Sequence, residues 1–154
     1  MNKTKRIIAG SLAALTISLG FAGCGESASS SSSDSGDAAK VYNIGICQLI
    51  QHDALDAATK GFKDALTEKL GADNVKFDEQ NAQGDSQNCI TICNQFVSSN
   101  YDLILGNGTA ALQAAYTATD TIPILGTSVT NYATALEISD WKGYTGINVS
   151  GTTD

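Results

Sequence analysis

The side chains of this sequence that could act on a small molecule are mostly hydrogen-bonding groups, and they recur at similar places. Gln48 and His52 follow one apolar run, Gln80 and Gln83 a second, Thr109 a third, and Thr127, Ser128, Thr130 and Asn131 a fourth. Amides and hydroxyls donate and accept hydrogen bonds but form no acid/base pair, so the set suits holding a polar molecule more than transforming one. His52 is the single histidine, and the chain has neither a G-x-S-x-G elbow nor a Walker A loop. That removes the usual routes to nucleophilic hydrolysis and to nucleotide-driven chemistry, and leaves His52 as a polar loop residue, either facing the rim and able to contact a ligand or simply exposed. Gly106 to Ala111 fits G-x-G-x-x-A, a dinucleotide-binding pattern, yet the acid expected about 20 residues further on is missing. Cys89 and Cys93 lie one helical turn apart without a second Cys or His pair, so no metal site is expected. With Cys47 they read as small buried hydrophobes, and no cofactor is called for.

The elements that must position these groups alternate strand with helix. Residues 41–47 form a short β-branched run of the kind buried on both faces of a parallel sheet. Leu55, Ala58, Phe62, Ala65 and Leu66 then recur at three- and four-residue spacing, with Asp53 as the expected cap and Gly71 as the terminator. The pattern repeats. Strands are predicted over 74–80, 102–106, 122–126 and 141–149. Helices are predicted after Asp85 or Ser86, over 110–118 behind a Thr109 cap, and over 132–138. The expected fold is α/β, a five-stranded, mainly parallel sheet with helices on both faces. All the polar residues above then lie along one rim, at the carboxyl ends of the strands, where open α/β sheets bind ligands. Helix N-termini at that rim favour a carboxylate or phosphate.

Charge and the N-terminus set the context. Nine basic residues face sixteen acidic ones, and Lys3, Lys5 and Arg6 precede position 24, where no acid occurs. Beyond that point six basic residues remain against sixteen acidic, which excludes a nucleic-acid partner. Residues 1–23 have the basic start, short apolar stretch and small-residue end of a signal peptide. The apolar stretch falls short of the ~20 residues of a membrane-spanning helix. Phe21-Ala22-Gly23-Cys24 is similar to the bacterial lipobox, with Phe where Leu is usual, and implies lipidation of Cys24. Residues 24–39 are Ser-rich and lack large apolar groups, so they read as a flexible tether of about 20 Å reach between a membrane anchor and a folded unit at 40–154. The protein is therefore expected outside the cytoplasm, on the cell membrane.

Three stretches carry a resemblance: Ile44-Gly45-Ile46 with Gln48-Leu49 and His52 to Ala57, then Gln80-Asn81-Ala82-Gln83-Gly84-Asp85, then Asn148-Val149-Ser150-Gly151-Thr152-Thr153-Asp154. Together they resemble ABC-transporter substrate-binding lipoproteins of the tryptophan/tyrosine-binding group. The resemblance implies one lobe of a type I periplasmic-binding-protein fold, with Ser150 to Asp154 at the first hinge and the second lobe missing, so that the chain is expected to be a truncated fragment. It implies a small amino acid ligand such as tryptophan or tyrosine, no catalysis, and a membrane permease with its ATPase as partners. Gln48, His52, Gln83, Thr109, Ser128 and Asn131 are the candidate ligand-binding residues, with Asp154 as candidate partner for the ligand's ammonium. A ligand-sensing domain for a signalling receptor is the alternative use of the same fold.

Overall fold

The computed structural model describes residues 40–153. The expected signal peptide, the expected lipidation site Cys24, the expected tether and Asp154 lie outside the described residues. The order is β1 (Tyr42–Gln48), α1 (Asp53–Leu70), a 3-10 turn (Ala72–Asn74), β2 (Val75–Asn81), α2 (Ser86–Ser98), β3 (Leu103–Asn107), α3 (Thr109–Ala118), β4 (Ile124–Thr127), α4 (Tyr132–Ala135) and β5 (Val149–Gly151). The five strands pair in the order β2-β1-β3-β4-β5, every pair parallel. No helix among the described residues is long and apolar enough to cross a membrane.

Strand alternation divides the core in two. Ile44, Ile46, Val75 and Leu105 face α1 and pack with Phe62, Leu66 and Leu70. Cys47, Ile104 and Ile124 face the opposite side, where Cys89, Cys93 and Phe96 of α2 and Leu112 of α3 cover them. Glycines in β1 and β3 let the second layer come close. A Cβ at Gly106 would lie 2.7 Å from the Leu112 Cα, so α3 packs with its backbone directly on β3. At the opposite end of the strands, the Asn43 N-H donates to Asp102 Oδ2 at 2.8 Å and Lys40 pairs with Asp102 Oδ1 at 2.7 Å. Those contacts tie the start of β1 to the start of β3 across the sheet centre.

Three expectations are corrected. The α1 cap is His52 and not Asp53, because the His52 side chain accepts from the Ala54 N-H and Asp53 is already helical. Thr109 is likewise the first residue of α3, and Gly108 takes the cap position with φ 101°. The fifth strand is only Val149–Gly151, and 141–148 is loop. Trp141, Tyr144 and Ile147 gave that stretch an apolar look, but all three are exposed.

Candidate functional site

The register brings the last residues of four strands side by side: Asn81 beside Gln48, Gln48 beside Asn107, and Asn107 beside Thr127. Beyond β5 the Thr152 hydroxyl lies 3.5 Å from that of Thr127. The carboxyl edge of the sheet is thus a continuous polar row. The reversal of strand order falls between β1 and β3, where such sheets form their ligand crevice.

At that crevice the structure holds a buried network that faces α1. Gln48, Asn107 and Thr59 are 3%, 0% and 2% exposed. Thr59 Oγ1 donates to Gln48 Oε1 at 2.7 Å, and Asn107 Nδ2 donates to Thr59 Oγ1 at 2.9 Å and to the Leu55 carbonyl at 2.8 Å. Gln48 Nε2 donates to Asp56 Oδ1 and to the Ile50 carbonyl. Gln48 therefore sits at the predicted place, but its amide is turned inward and engaged. Asn107 Oδ1 is the one buried side-chain polar atom without a partner among the described residues.

The other candidates surround this crevice in different states. His52 is exposed, its Nδ1 accepting from the Ala54 N-H at 3.2 Å. Gln83 is exposed at φ 58° in the turn after β2, where its N-H donates to Asn81 Oδ1. The same turn is pinned to the β1 loop by the Gly84 N-H bonding the Leu49 carbonyl. Ser128 takes φ 55° just after β4, and Asn131 caps α4 through its side chain. Helices α1, α2 and α4 thus have side-chain caps, whereas the first-turn N-H groups of α3 have none. Thr109 lies exposed at that uncapped end. The G-x-G-x-x-A stretch serves this junction, with Gly106 admitting the α3 backbone and Gly108 supplying the positive φ of the turn.

Asn107, Thr59 and Asp56 were not among the candidates read from sequence. The available signal was strand period: Leu103 and Leu105 face α1, so Asn107 had to face it too.

Residues 43–154 match the family model described as ABC transporter substrate binding protein. The chain belongs to this family. A curated relative, the tyrosine-binding protein of Clostridioides difficile (strain R20291), is 40% identical across the whole chain, which spans 46% of that relative's length. Among solved structures, the ligand-free, open form of a substrate binding protein with adhesive properties from Clostridium difficile is 41% identical. It has a TM-score of 0.68, with 74% of this chain and 39% of that one covered. An ABC domain in complex with L-Trp from Streptococcus pneumonia is 34% identical with a TM-score of 0.68, over 75% of this chain and 39% of that one. This family member therefore has the fold of one part of longer substrate-binding proteins.

Proposed function

We propose that this chain captures an aromatic amino acid, tryptophan or tyrosine, for an ABC importer, as the ligand-recognition lobe of a lipid-anchored extracytoplasmic receptor. The observation that carries the reading is the row Asn81, Gln48, Asn107 and Thr127 at the sheet's carboxyl edge beside the uncapped α3 N-terminus. The kinship with a tyrosine-binding protein and with an L-Trp complex adds the amino acid. In this reading the free N-H groups of α3, with the hydroxyls of Thr109 and Ser128, receive the ligand's carboxylate, where the helix dipole favours an anion. His52, Gln83 and Asn131 line the rim around it, Gln48 holds α1 in place from beneath, and Asp154 adds an acid from the hinge.

Titration of the chain with L-tryptophan and L-tyrosine, followed by amide chemical shifts, tests this. One lobe covers one side of a ligand, so binding in the millimolar range is expected. Thr109→Val and Ser128→Ala should each weaken it roughly ten- to a hundredfold, the worth of one hydrogen bond to a charged group. Variants that stay folded and bind as tightly as the parent would place the carboxylate elsewhere.

The anchor has its own test. Cells expressing the chain should incorporate labelled palmitate, and Cys24→Ser should abolish the label and release the protein from membranes. Label retained by Cys24→Ser would remove Cys24 from the reading.

A further inference from the structure

We infer that Asp56 receives the ammonium group of the ligand, an assignment that rests on the amino acid reading above. Asp56 is half-buried in the first turn of α1, beside the carboxyl end of β1, where it meets Gln48. Its Oδ1 is held by Gln48 Nε2, and Gln48 is itself fixed through Thr59 and Asn107. The carboxylate is therefore pre-positioned by a buried chain of side chains, not left to sample solvent.

What that chain lacks is donors. The amide hydrogens of Gln48 and Asn107 and the Thr59 hydroxyl are directed to acceptors within the network. Asp56 Oδ2 has no partner, and Asn107 Oδ1 is buried and unpaired. Asp56 also has no cation. The ion pairs among the described residues are Lys40–Asp102, Lys60–Asp64, Lys63–Glu79 and Lys142–Asp140. Lys60, one turn along α1 from Asp56, is committed to Asp64 instead. A crevice with surplus acceptors, one of them a carboxylate, calls for a positive group that only donates. An alkylammonium has three N-H donors and no acceptor.

The neighbouring α3 N-terminus shows the converse, with surplus N-H donors and no acceptor from a cap. Asn107 directly precedes that end, so the acceptor-rich and donor-rich sides adjoin. An α-amino acid carries its ammonium and carboxylate on one carbon and satisfies both sides together. A ligand lacking either charge satisfies one.

Three ligands separate the terms: L-tryptophan, tryptamine without the carboxylate, and 3-indolepropionate without the ammonium. Each is titrated into the parent chain, Asp56→Asn and Asp56→Glu, with the amide spectrum reporting both fold and binding. Asp56→Asn should weaken tryptophan and tryptamine roughly ten- to a hundredfold and leave 3-indolepropionate unchanged. Asp56→Glu, which keeps the charge, should retain the preference for the ammonium-bearing ligands. Should Asp56→Asn fail to fold, Asp56→Ser, which also removes the charge, takes its place in the same comparison. Equal loss for all three ligands, or no loss, overturns the role of Asp56 while the amino acid reading stands. A parent that binds none of the three overturns that reading and this assignment with it.

Discussion

Phe96→Ala is expected to lower the stability of the chain by about 3–5 kcal/mol, a large share of what a domain this size possesses. Phe96 is fully buried on α2 and stacks on Tyr101 with ring centroids 5.1 Å apart. Beneath it lies Gly45, where a Cβ would come within 2.5 Å of the Phe96 ring. The floor of the resulting cavity is bare strand backbone, so no side chain there can relax into it. Urea denaturation of the parent and variant measures the loss. The same contact makes the pair non-additive: Gly45→Ala should destabilise the parent yet cost much less beside Phe96→Ala, where its methyl has room. Additive losses would show that α2 does not rest on Gly45 through this ring.

Gly106→Ala is expected to cost about 3 kcal/mol, at the upper end of overpacking penalties. The new methyl would meet the Leu112 Cα at 2.7 Å and its N at 2.8 Å. Backbone cannot rotate aside as a side-chain tip can, so α3 must lift from β3 as a body. Its uncapped N-terminus would move with it, and binding should weaken in the variants that still fold. Gly61 provides the control, because a Cβ there meets nothing within 4 Å. Gly61→Ala in the exposed face of α1 should instead gain a few tenths to about 1 kcal/mol from helix propensity. A Gly106→Ala chain as stable as the parent would mean that the close approach is not needed.

The sequence was legible in some places and not in others. The helices and the first four strands were legible because their apolar spacing matches burial: Phe62 and Leu66 do face the sheet, and Gly71 does end α1 with φ 88°. Caps were less legible, because His, Asp and Thr near a helix start are chemically interchangeable until the backbone decides which of them is helical. The last strand misled, since Trp141, Tyr144 and Ile147 imitate a buried run while lying in an exposed loop. In the candidate site, the parallel register does bring Gln48 and Thr127 to one edge of the sheet, but the direction of the side chains was not legible. Gln48 is turned inward, and Asn107, one residue past the strand expected over 102–106, is the buried end of β3. Asp56 was hidden by its ordinariness, as acids in a first helical turn are expected for the dipole alone.

The three thiols behind the sheet give the molecule an internal clock. Cys47, Cys89 and Cys93 are free and wholly enclosed. Burial pushes the Cys89 thiol up to about 12, and the Cys47 thiol is likewise raised, by its contact with Cys93 and by burial. All three are shielded by lack of access, and Cys47 and Cys89 also by lack of thiolate, which is the reactive form. An alkylating reagent must wait for α2 to leave the sheet. The pace at which these three sulfurs acquire label therefore reads out how often the native chain opens, with no probe added to it.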